Sequence, residues 1–127
     1  MPEKKLYEYA VIRVVPRVER EEFINVGIIL FSKKANFINV LIDLDEERLK
    51  LFSSDIDCDQ LQENLDAFVR IGKGDRTAGP IAQEDVPSRF RWLTAIRSSM
   101  IQTSRPHPGK ADDLEVALEA LLKEYVG

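Results

Sequence analysis

FINVGIILFSKKANFINVLIDL, Phe23 to Leu44, holds two apolar runs separated by the polar turn Lys33-Lys34-Ala35-Asn36. Runs of this length, rich in Ile, Val and Phe and split by a short turn, predict two antiparallel strands, Phe23–Ser32 and Phe37–Leu44. Upstream, LYEYAVIRVV (Leu6–Val15) has the same β-branched and aromatic character and stops at Pro16. It adds a first strand, so the chain opens as an antiparallel meander.

After Leu44 the period changes. Asp45-Glu46-Glu47 opens a short helical turn running through Leu51-Phe52. From Asp57 to Arg70, Leu61, Leu65, Phe68 and Val69 recur at helical spacing, with Gly72 placed as a stop. KGDRTAGPIAQ (Lys73–Gln83) reads as a glycine- and proline-bearing loop. Pro87 suits the first turn of a helix that would bury Phe90, Leu93 and Ile96. SMIQTS (Ser99–Ser104) predicts a fourth strand, and RPHPG a loop, because two prolines bracket His107. Leu114, Leu118, Leu121, Leu122 and Tyr125 mark an amphipathic helix over Ala111–Tyr125, capped by Asp112 or Asp113. Strands first and helices after predict an α+β domain. Its antiparallel sheet would have three to four strands, with about three helices packed mainly on one face, all in a single domain over residues 1–127.

Length and composition agree with this. A chain of 127 residues is within the range of one domain. Apolar content of 44% and charged content of 31% are ordinary for a globular protein. MPEKKLYEY lacks the apolar segment of a signal peptide, no run is long enough to span a bilayer, and the single cysteine, Cys58, has no partner for an internal disulfide. The expectation is a cytoplasmic protein without membrane contact. Net charge is -4 but unevenly spread: residues 43–69 carry 9 acidic and 2 basic side chains, and residues 70–110 carry 8 basic and 3 acidic. Such blocks are ordinarily solvated faces; the sharper reading is an arginine-rich segment facing an anion.

Alternation along the strands singles out a polar row. Arg13 shares a face with Tyr7, Tyr9 and Val11, and Asn25 lies on the odd face of strand two, whose even face (Ile24, Val26, Ile28, Leu30) is wholly apolar. Pairing Phe31 with Phe37 sets Asn25 opposite Asp43, and pairing Val15 with Phe23 sets Arg13 opposite Asn25. The predicted row, Arg13–Asn25–Asp43, crosses three strands on the face away from the helices, with Gly27 leaving a dent beside it. It reads either as a polar network fixing register, or as an anion- or amide-recognition dent with Arg13 as the fork. A second candidate is the basic segment Arg91, Arg97, Gln102, Ser104, Arg105 and His107, whose donors suit a phosphate, a carboxylate or a partner surface.

The segments YEYAVIRVVPRVEREEFINVGIILF (Tyr7–Phe31) and RWLTAIRSSMIQTSRPHPG (Arg91–Gly109) resemble the bacterial family catalogued as domain of unknown function 3037. The resemblance implies no activity or catalytic residue to carry over. It does imply a protein partner, because members are encoded beside kinases that resemble the HipA toxin.

Other motifs fail. No P-loop, dinucleotide fingerprint or nucleophile elbow is present, and the glycines of IGKGDRTAG fit no phosphate cradle. Asp55, Asp57 and Asp59 sit at calcium-loop spacing, but Gln60 stands where glycine is required and Asp66 where glutamate is. One cysteine and one histidine do not make a zinc site, so no metal and no cofactor is expected. The primary reading is a non-catalytic accessory domain that recognises a protein partner, a HipA-like kinase being the first candidate. The alternative is an enzyme or a binder of a nucleotide or other small anionic phosphorylated ligand. Nucleic-acid binding comes third, opposed by the negative net charge.

Overall fold

The computed structural model describes residues 4–16, 22–53, 56–95 and 100–127. Five strands form one antiparallel sheet: β1 (Lys5–Val14), β2 (Ile24–Ser32), β3 (Phe37–Ile42), β4 (Ile101–Thr103) and β5 (His107–Ala111). The order is β3-β2-β1-β4, and β5 pairs with β1 on the same edge as β4. The upper half of β1 thus takes β4 (Ile12↔Thr103 to Val14↔Ile101) and the lower half takes β5 (Lys5↔Ala111 to Tyr9↔His107). Where the two meet, Ser104 donates its backbone N–H to Val11 O and its Oγ accepts from Val11 N at 2.9 Å. The proline-bracketed segment expected as a loop is therefore a strand. Prolines are tolerated there because β5 is an edge, where a missing N–H breaks no ladder.

Among the described residues, four helices complete the fold: α1 (Glu46–Phe52), α2 (Cys58–Gly72), α3 (Val86–Leu93) and α4 (Leu114–Tyr125). Each starts on an aspartate whose carboxylate accepts backbone N–H groups of the first turn: Asp45, Asp57, Asp85 and Asp113. Such caps contribute about 0.5–2 kcal/mol apiece, and Asp45 and Asp57 with the first-turn Glu46, Glu47 and Asp59 supply five of the nine acidic residues in 43–69. Gly72 is the last residue of α2, not the residue beyond it. A Cβ there would stand 2.6 Å from Val40 Cγ2, so glycine lets α2 lie close on β3.

The sheet lies between two apolar layers. On one face, α1, α2 and α3 bury Ile12, Val14, Val26, Ile29 and Phe31 with Leu49, Leu65 and Phe90, and Phe31 stacks on Phe90 at 4.8 Å between centroids. On the other, α4 lays Leu114, Leu118 and Leu121 over Val11, Ile28 and Leu30. Three helices on one face and one on the other give the α+β architecture, with α4 covering the face that strand alternation left open. Among the described residues, no helix is long and apolar enough to cross a membrane.

A β-bulge explains how one apolar strand serves both layers. Ile12 pairs with Gly27 and Arg13 with Asn25, so Val26 is the extra residue of β2. Below it, Ile24 and Val26 face α1–α3; above it, the inward residues are Ile29 and Phe31, and Ile28 and Leu30 turn to α4. The expected uniform even face of this strand is thereby split. The register with β3 is unbroken but one residue away from the expected one: Phe31 pairs with Ile38, and Phe37 with Ser32.

Between α2 and α3, two 3-10 turns (Arg76–Ala78 and Pro80–Gln83) replace the expected loop. Asp75 anchors them, accepting from Thr77 Oγ1 at 2.7 Å, Thr77 N at 3.0 Å and Arg70 Nε at 3.0 Å. The Thr77 hydroxyl first, then Arg70, hold its carboxyl at about 2, below the ordinary 3.8. A depressed folded-state pKa stabilises above the unfolded value and is lost as pH falls through the folded one. Asp75→Asn is therefore expected to lower the melting temperature at pH 7, and the difference from the parent should fade between pH 4 and pH 2 in thermal melts. A constant difference across that range would remove the carboxylate from the account.

Candidate functional site

Arg13 and Asn25 face one another across β1 and β2, the pairing expected from alternation. Gln102 flanks Arg13 on β4. The observed row is therefore Gln102–Arg13–Asn25, and it joins residues that the sequence had assigned to two separate clusters. Asp43 does not extend it. Its backbone N–H donates to Val26 O at 2.7 Å, which puts it opposite Val26 and not Asn25. The cause is the β2–β3 register, which starts with Ser32 opposite Phe37 and so runs one residue away from the Phe31–Phe37 pairing on which the Asn25–Asp43 opposition rested. Asp43 is exposed, and shares with Asn25, Asp45 and Arg48 the lining of a shallow cavity of about 470 Å³. Gly27 makes no dent on the α4 face; it sits against Ile12 and Ile42.

The row lies beside the end of α4. Asn25 Nδ2 donates to Tyr125 O at 3.2 Å, and Tyr125 and Tyr9 join their hydroxyls at 2.9 Å. That hydrogen bond, helped by burial, pushes the Tyr9 hydroxyl up to about 12, so it stays protonated over the physiological range. The Tyr9 ring also contacts His107 on β5 (5.5 Å between centroids) and Tyr7 (6.2 Å). Arg13 places its guanidinium 4.1 Å above the exposed Phe23 ring, and burial lowers its pKa. A cation over an aromatic face contributes about 0.5–1 kcal/mol at an open site.

Two polar atoms of the row are left over. Arg13 Nε and Asn25 Oδ1 are buried without a hydrogen-bond partner among the described residues. Asn25 cannot relieve this by flipping its amide, because Nδ2 is the atom that meets Tyr125 O. Leaving such atoms unpaired costs about 1–3 kcal/mol each. They are one donor and one acceptor on adjacent strands, both closed to solvent.

The second candidate cluster is spread over several elements. Arg91 is exposed on α3 and its guanidinium donates to Ser88 Oγ at 3.2 Å. Ser104 is tied to Val11, and His107 is exposed on β5 against Tyr9. Arg97 lies outside the described residues, and so does Ile96. No group of three or more His, Cys, Asp and Glu side chains gathers to hold a metal among the described residues. Sequence reasoning took Phe23 and Tyr125 as ordinary strand and helix positions. The signal for Phe23 was its place two residues before Asn25 on the same strand; Tyr125 is 100 residues from Asn25 and left no local signal.

A model of the family described as "Protein of unknown function (DUF3037)" matches residues 9–126. The chain belongs to that family. Neither a curated protein nor a solved structure matches it significantly.

Proposed function

We propose that the chain is a non-catalytic accessory domain that recognises a protein partner through the surface formed by Arg13, Asn25, Phe23, Tyr9 and His107. The observation that carries this reading is the Arg13 guanidinium 4.1 Å over the Phe23 ring, which is itself 45% exposed. Arginine and aromatic side chains are the kinds found at the centre of interfaces. The family resemblance makes a HipA-like kinase the first partner to test.

Affinity capture of the tagged protein from its host, followed by mass spectrometry, is expected to retain a stoichiometric protein. With that protein purified, Arg13→Ala is expected to weaken binding roughly 30-fold, as loss of an arginine anchor of about 2 kcal/mol does. Arg13→Lys, which keeps the charge but not the fork, should recover only part of it. Retention of a small molecule alone, or full binding by folded Arg13→Ala protein, refutes the reading.

A second reading rests on the Asn25–Tyr125 hydrogen bond, which ties β2 to the end of α4. On this reading the row is an internal clasp. Asn25→Ala then costs about 0.5–1.5 kcal/mol in urea melts and leaves partner affinity unchanged.

A further inference from the structure

At the other end of β1 from Arg13, roughly 26 Å away at strand rise, the surface changes character. Leu6 is 52% exposed there. It lies between the β2–β3 turn and the end of β5, in a groove of about 420 Å³ lined also by Tyr7, Phe31 and Pro108. A contiguous depression of about 630 Å³ shares Leu6 and Lys34 with it. Five lysines line the two: Lys4, Lys5, Lys33, Lys34 and Lys110, against one carboxylate, Glu8. All five are exposed, and among the described residues none has a carboxylate in ion-pair contact.

This concentration runs against the net charge of -4. Edge protection accounts for Lys110 on β5, since lysines blunt sheet edges. It does not account for Lys33 and Lys34, which occupy a turn between two paired strands. The platform beneath them is held in place. Ser32, 1% exposed, donates from Oγ to Leu6 O at 2.8 Å and accepts from Ala35 N at 3.4 Å, fastening the turn to the start of β1.

From an apolar groove rimmed by ammonium groups that meet no carboxylate among the described residues, we propose a second docking surface, for an acidic protein segment carrying one apolar anchor. The anchor fills the Leu6–Phe31–Pro108 groove, and flanking carboxylates meet the lysines. Charge complementarity supplies orientation and rapid association, and the anchor supplies specificity. This surface is distinct from the one around Arg13.

The test is fluorescence anisotropy of the full chain with a short labelled peptide of aspartate and glutamate bearing a central leucine. Binding is expected, weakening steeply with added salt. Lys33→Glu/Lys34→Glu is expected to weaken it at least roughly tenfold; both residues are exposed in a turn, so an unchanged melting temperature verifies folding. Arg13→Ala should leave it unaltered, which separates this proposal from the preceding one. Absence of binding, indifference to the double charge reversal, or equal binding when serine replaces the central leucine overturns the proposal. Tighter binding of an oligouridylate or of phosphatidylserine vesicles at equal charge overturns the choice of a protein segment.

Discussion

Leu118→Ala is expected to cost about 2–5 kcal/mol of stability. Leu118 is fully buried and is the middle residue of the stripe that α4 lays on the sheet. Its neighbours Val11, Ile28 and Leu30 belong to strands pinned from the opposite side by the α1–α3 layer, so they cannot close on the cavity. The cost should therefore fall in the upper part of that range. The two apolar layers share no side chains, only the sheet between them, which makes the effect regional. Amide hydrogen exchange is expected to accelerate first in α4 and much less in α2. The Tyr9–Tyr125 and Asn25–Tyr125 hydrogen bonds would loosen with it, because both depend on where α4 ends. A loss below about 1 kcal/mol in urea denaturation, or acceleration shared equally by α2, would show that α4 is not docked as an independent layer.

Strands β1 to β4 and the helices were legible because each carries its own signal, whereas β5 was hidden by the prolines that bracket His107. β1 to β3 are β-branched runs set apart by Pro16 and the polar turn Lys33–Asn36, and the helices begin on aspartates and repeat apolar residues at helical spacing. What escaped was how one strand changes faces. β2 is apolar at every position from Ile28 to Phe31, so no polar residue reveals the point where alternation slips. The Arg13–Asn25 pairing was nonetheless legible, because it lies on the far side of the bulge from the β2–β3 turn, where regular counting from Val15 still holds. Counting from the turn failed, and with it the place given to Asp43. The cover over the sheet's second face left a trace that alternation alone did not decode: Tyr7, Tyr9 and Val11 on one side of β1 need a partner as much as Ala10, Ile12 and Val14 on the other. Phe23 and Tyr125 join the row only through tertiary folding.

Gly27 is the position on which that slip depends, and Gly27→Ala is expected to destabilise the protein by about 1–3 kcal/mol, with Gly27→Val worse. A Cβ at this residue would stand 2.5 Å from Leu41 O and 2.7 Å from Ile42 Cδ1. The first obstacle is backbone, which a rotamer change cannot move. Relief requires β2 to shift against β3, or the bulge to regularise. Regularising the bulge would bring Val26 opposite Arg13 and turn Asn25 from the row, so the consequence reaches the candidate site without any change to its side chains. Urea melts give the cost, and two-dimensional NMR should then show the largest amide shifts at Asn25, Val26 and Arg13, with α2 little moved. If Gly27→Ala is as stable as the parent and leaves those amides in place, the close approach of β3 does not constrain the bulge. In that case the Arg13–Asn25 pairing must be held by the α4 clasp through Tyr125.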